Sequence, residues 1–257
     1  WPTAQGWPGI IGCTRMSSDL ISWTLAILAA VAPQSSRPEC PPAAQAVLEQ
    51  TAADVARGAY ASASERVRIG ASAEITCDPV RLAAWAWRGW TAAVAAANRG
   101  GSPEALAPVI EAIAIVTALG PPRSEAAYAA AVLRAAAAAS QDERDEMLVW
   151  IEEAQALSAR LALAGAPPRW PLPIELATGE LWHGVNDYQL AEAAFERALA
   201  ARESPAAWRG VARARDRRGN GAGACDAYRR VQQLLADDET PGPLATEARG
   251  YLVLCSP

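Results

Sequence analysis

The chain has 257 residues, 51% of them hydrophobic, and a formal charge of -5. It is long enough to bury a sizeable core and too apolar to be a disordered polymer. It contains no lysine, so its 23 basic residues are all arginine, and no arginine-rich arm or basic patch interleaved with aromatics stands out, which argues against a nucleic-acid partner.

A single phenylalanine and few β-branched residues beside long alanine runs argue against a sheet protein on propensity and predict an all-α fold. Residues 1–15 show no period and are set aside from the fold. From Met16 the chain reads "MSSDLISWTLAILAAVAPQSS", in which Leu20 to Ala32 form a charge-free apolar run. The run is short for a membrane span and fits the apolar region of a secretory signal, although Asp19 and Pro33 depart from the usual pattern. Residues 1–41 are therefore expected to be a leader and signal segment outside the fold. The expected location is secreted or periplasmic, the alternatives being a membrane-anchored or a cytoplasmic chain.

Helix starts are well marked. Asp78-Pro79, Ser102-Pro103 and Ser204-Pro205 each set a capping side chain before a proline, whose missing N–H costs nothing in a first turn. Ser124 before Glu125, and Ser140 with Glu143 three residues on, give two further starts, the second with capping-box spacing. Reading outward from these signals predicts helices over 42–57, 61–74, 79–98, 103–118, 124–139, 141–163, 174–184, 188–201, 205–218, 221–236 and 244–253. Paired in order, they give an α-solenoid of about five antiparallel helical hairpins with a C-terminal capping helix. The interruption "GAPPRWPLP", 165–173, cannot be helical throughout. It forms a Pro-rich hinge or corner between N-terminal hairpins at 42–164 and a C-terminal group at 174–257.

In the C-terminal group one unit is written twice. Asp187, Tyr188, Ala191, Phe195 and Ala198 align at a shift of 33 with Asn220, Gly221, Ala224, Tyr228 and Val231, and Gly179 aligns with Ala212. Small residues at these positions let two helices approach, and an aromatic fills the space between hairpins. With Trp208, Ala214 and Gly219 added, the stretch 174–236 resembles the tetratricopeptide repeat family. Before it the likeness is one of pattern only, through Gly58, Tyr60, Ala63 and Val67 and then Gly100, Ala105, Val109 and Ala112; the hairpin at 124–163 lacks the motif. The resemblance implies a scaffold whose first helices line a groove that holds a peptide, often through basic residues gripping carboxylates. Arg209, Arg213 and Arg217 recur every four residues on such a first helix, so they share one face and are the expected peptide-binding set, suited to an acidic segment. The alternative is an ordinary solvated face.

With Cys13 assigned to the leader, four cysteines remain. Cys40 precedes the first helix of the first hairpin and Cys77 follows its second, while Cys225 lies near the start of one helix and Cys255 at the end of the next. Antiparallel packing brings each pair together, so disulfides Cys40–Cys77 and Cys225–Cys255 are expected if the chain is exported; the alternative is four thiols acting as small hydrophobes. With no CxxC and one histidine, no metal or other cofactor is expected. His183 reads as a packing or surface residue, since no activated nucleophile accompanies it. Phosphate-loop, nucleophile-elbow and zinc-protease patterns are absent from the sequence. The acidic run "QDERDEM" reads as a helix start favoured by the macrodipole. Trp85, Trp87 and Trp90 read as core between hairpins, with an exposed aromatic platform as the alternative. The reading is thus an exported, non-enzymatic scaffold for a protein or peptide partner. The alternative is a helical enzyme or accessory domain acting on a cell-wall or polysaccharide substrate through that platform.

Overall fold

The computed structural model describes residues 40–72, 77–236 and 242–255. Within them it is all-helical: α1 Pro42–Ala56, α2 Tyr60–Ser72, α3 Asp78–Ala97, α4 Pro103–Ala118, α5 Glu125–Ser140, α6 Arg144–Leu163, α7 Ile174–Gly184, α8 Tyr188–Ala201, α9 Pro205–Arg217, α10 Gly221–Leu234 and α11 Pro243–Leu252. A 3-10 turn, Val253–Cys255, ends the described chain, and no strand occurs among the described residues. The apolar run Leu20–Ala32 and Cys13 lie outside them. No described helix is long and apolar enough to cross a membrane.

The capping chemistry acts where the sequence places it. The hydroxyls of Ser102, Ser124 and Ser204 accept hydrogen bonds from the backbone N–H groups of Ala105, Ala127 and Ala207, satisfying donors that a first helical turn leaves open. Two starts differ from expectation. Asp78 is itself the first residue of α3, so Cys77 stands at the cap without a side-chain bond. Ser140 caps nothing: it is the last residue of α5, its hydroxyl donating back to the Ala137 carbonyl, and α6 begins only at Arg144. The cause is Asp142, whose φ of 60° is left-handed and turns the chain between the two helices.

Consecutive helices pack as neighbours: α1 on α2, α3 on α4, α5 on α6, α7 on α8 and α9 on α10. Each odd-numbered helix up to α7 also touches the next odd-numbered one, so α1, α3, α5, α7 and α9 share a layer. That layer returns on itself, because α1 reaches α9. At the turn between α1 and α2, Gly58 takes a φ of 71°, and a Cβ there would lie 2.9 Å from Leu244 Cδ2 and 3.7 Å from the Ala206 backbone. The first hairpin therefore meets the starts of α9 and α11, and only glycine suits both that conformation and that approach.

The repeated unit is visible as packing. α8 and α10 are both 14 residues long and begin and end at the same offset as the aligned sequences. Their caps coincide too: the Asp187 side chain accepts from Leu190 N–H and the Asn220 side chain from Gly223 N–H. Each follows a left-handed residue, Asn186 at 62° and Gly219 at 79°. Phe195, fully buried, fills the space between α7 and α9, since a Cβ at Gly179 would lie 2.5 Å from its ring and one at Gly210 2.4 Å.

Both pairs of described cysteines are joined. Sγ of Cys40 lies 2.07 Å from that of Cys77, across the open end of the α1–α2 hairpin, and Sγ of Cys225 lies 2.04 Å from that of Cys255, tying α11 to α10. The Pro-rich stretch is a corner held against α5. Tyr128 donates its hydroxyl proton to the Leu172 carbonyl at 2.6 Å, and the Glu125 carboxylate accepts from the Arg169 backbone N–H at 2.7 Å. Burial raises the Glu125 pKa, partly offset by the Arg169 backbone bond and charge.

Candidate functional site

The arginine face of α9 meets two neighbouring helices. Arg209 grips Glu247 of α11 with Nε and a terminal nitrogen, at 2.9–3.0 Å, and the Tyr228 hydroxyl donates to the same carboxylate at 2.9 Å. Burial pushes the Glu247 carboxyl up, but the Arg209 hydrogen bonds and charge, the Tyr228 bond and the Arg213 charge together hold it below the usual range. One turn on, Arg213 donates to Glu180 and to His183 Nδ1, both on α7 and both at 3.3 Å. Glu180 and Arg213 are 33 positions apart, so they occupy the same level of successive first helices, and the repeat period itself points to the pair. Across the seam stands Tyr60, whose hydroxyl is pushed well above its ordinary pKa by burial and then by the Glu180 charge, against the opposing Arg209 and Arg213 charges.

Arg209 and Arg213 are thus taken up inside the chain, and Arg217 is the member of the set that stays exposed without a hydrogen bond or ion pair among the described residues. What the sequence cannot convey is that α1, α2 and α11 come round to cover this face. A second guanidinium set on α9 has a parallel role: Arg215 holds Glu192 at 2.7 Å and Glu196 at 3.0 Å, and Arg218 also reaches Glu192. Partly buried carboxylates and guanidiniums paired in this way fasten one hairpin to the next.

His183 belongs to the same network. A guanidinium can only donate, so Nδ1 is the acceptor and the ring proton sits on Nε2, a buried atom with no hydrogen-bond partner among the described residues. Its ring stands edge-on to Tyr188, 5.3 Å between centroids. Burial, followed by the charges of Arg213, Arg217 and Arg209, lowers its pKa to about 4. The imidazole is therefore neutral at pH 7 and accepts from Arg213. Between its ordinary value of 6.5 and about 4 the unfolded chain binds the proton and the folded chain does not. Stability from this source is complete above pH 6.5 and is lost as pH falls toward 4. His183→Gln, melted at a series of pH values, should lose this acid sensitivity above pH 4.5, a difference of about 1 kcal/mol after allowance for the ring's partial exposure.

The tryptophans divide between core and rim. Trp87 is fully buried and Trp90 is 5% exposed, whereas Trp85 is half-buried beneath Arg88, whose guanidinium carbon lies 4.5 Å from its ring centre. They form no open aromatic platform. Nor does any group of three or more His, Cys, Asp and Glu side chains converge as a metal site among the described residues.

An opening that the sequence reading did not identify lies beside α1 and α7. A cleft of about 700 Å³ lies between α1, Ser158 of α6, the corner with the start of α7, and the end of α8. Val55, Trp170 and Leu176 supply apolar lining, and Arg169 and Arg202 stand on it. These residues are scattered over 150 positions of sequence, so no local pattern could have brought them together. No family model, curated protein or solved structure matches the chain.

Proposed function

We propose that the chain is an exported helical-repeat scaffold, an α-solenoid of the tetratricopeptide kind with about five hairpins and α11 as terminal cap, which binds a protein or peptide partner and performs no reaction of its own. The open cleft carries the binding role: side chains from α1, the Pro-rich corner and α8 leave about 700 Å³ of space there, with the exposed Arg169 and Arg202 on its rim. Phe195 seated between Gly179 and Gly210, and the matched caps of α8 and α10, support the repeat reading. The two joined cysteine pairs support export, since such bonds persist in oxidising compartments and are kept reduced in the cytosol. Of the three arginines on α9, the exposed Arg217 is the one this reading assigns to partner contact, and the ion pairs of Arg209 and Arg213 support a bracing role for those two.

The oxidised chain, applied in parallel to an array of short random-sequence peptides and to a glycan array, is expected to retain a subset of peptides that free peptide elutes, and to leave the glycans bare. Retention of cell-wall glycans with no peptide retained would overturn the proposal in favour of a polysaccharide-directed domain.

A further inference from the structure

We infer that the cleft between α1, the Pro-rich corner and α8 seats an acidic peptide segment with apolar anchor residues, and that Arg169 and Arg202 bind its carboxylates. This inference rests on the scaffold reading and specifies its ligand. The cleft's volume of about 700 Å³ lies in the range of sites that hold small ligands or a few side chains. Three charged side chains line it: Arg169, Glu175 and Arg202. Glu175 is engaged, its carboxylate accepting from Arg197 Nε at 2.8 Å. Arg169 and Arg202 are exposed, and neither guanidinium has an ion pair or hydrogen bond among the described residues.

The two heads are free although their backbones are fixed. The Arg169 N–H is bound by Glu125 at 2.7 Å, and the Arg202 N–H donates to the Ala198 carbonyl at 2.9 Å. Two anchored arginines therefore rim an apolar cleft on a chain whose formal charge is -5, Arg169 near the Glu125 carboxylate without an ion pair to it and Arg202 with no ion pair among the described residues. Arg209, Arg213, Arg215, Arg218 and Arg230 are held by carboxylates of the chain itself. What sets Arg169 and Arg202 apart from Arg99, Arg123 and Arg217, likewise unpaired among the described residues, is their place on this cleft. A guanidinium offers a planar fork of donors that matches a carboxylate. Because the two arginines come from separate elements with apolar lining in the same cleft, the complementary ligand carries acids beside an apolar side chain. That describes an acidic peptide better than a lone anion.

The probe is the fluorescein-labelled peptide Glu-Asp-Leu-Glu-Leu-Asp-Glu-Gly, compared by anisotropy with its twin in which every acid is the matching amide. The oxidised chain should bind the acidic peptide at least about tenfold more tightly than the twin. Arg169→Glu with Arg202→Glu should remove that preference, and the preference should shrink as salt is raised. Arg99→Glu with Arg123→Glu makes the same change of net charge away from the cleft and should leave binding unchanged. Both positions in each pair are exposed, and matching thermal melts establish that the variants fold. Equal binding of the amide twin, no effect of the cleft variant, or an equal loss in the control variant would each overturn the inference. If peptides are retained on the array but none depends on Arg169 and Arg202, this ligand assignment fails and the scaffold reading stands. If the array retains no peptide, the scaffold reading itself falls.

Discussion

Phe195→Ala is expected to destabilise the chain by about 3–5 kcal/mol, the usual cost of emptying an aromatic site that cannot collapse. The effect should be large because the ring is wholly buried and touches two hairpins at once, meeting Gly179 of α7 and Gly210 of α9. Equilibrium unfolding in urea measures it. The reciprocal substitutions sharpen the expectation. Gly210→Ala removes a poor helix former, which by itself stabilises a helix by about 1 kcal/mol. Here its methyl would sit 2.4 Å from the Phe195 ring, and the overpacking should dominate, for a net loss of about 1–2 kcal/mol. In the Phe195→Ala background the same methyl enters a vacant space and should be tolerated. The double-mutant cycle should therefore show coupling of at least about 1 kcal/mol. Additive losses would mean that Phe195 does not join the two hairpins.

Removal of the cysteine pairs should have the next largest effect. The bridged residues are 37 positions apart for Cys40–Cys77 and 30 for Cys225–Cys255, and loops of that size correspond to about 3–4 kcal/mol each through the unfolded chain. For a fold of this length, loss of one bridge as a Cys→Ser pair should lower Tm by roughly 6–16 °C. The two losses should differ in place. Without Cys225–Cys255, α11 keeps only a small buried footprint, Leu244 and Ala248, together with the bonds of Glu247 to Arg209 and Tyr228 and of Tyr251 to Asp216. Its amides should exchange first. Without Cys40–Cys77 the opening should fall on α1 and α2, where Asp54, 3% exposed, still holds Arg57 and Arg66 at 2.7 and 2.9 Å. A Tm indifferent to reduction would show that neither bridge constrains the fold.

Much of this structure can be read from the chain because it is written in local chemistry. Serine before proline announces α4 and α9, and Asp187 and Asn220 announce the two second helices that match at the repeat offset. The cysteine pairs follow from hairpin geometry once the helices are drawn. Local chemistry misleads at Ser140, where the spacing to Glu143 resembles a capping box although the serine already belongs to α5 and Asp142 turns the chain. The arginine face shows a different limit. Its four-residue spacing is correctly helical and the repeat offset points to Arg213 with Glu180, but only the placement of α11 decides that Arg209 faces Glu247. The approach of α1 and α2 to that face depends on the accumulated turn of every intervening hairpin, which no single segment encodes. The cleft is illegible for the same reason: Val55, Arg169 and Arg202 have no common pattern until the layer closes.

The most direct test of the scaffold is hydrogen exchange on the oxidised chain, alone and saturated with the acidic peptide. Slowed exchange is predicted in 52–56, 167–176 and 198–204, the segments that carry most of the cleft, with α4 and α10 unchanged. Protection confined to α4 and α10 would contradict the cleft as the peptide's seat, and none anywhere at saturating peptide would contradict the assignment of this fold as a peptide-binding scaffold.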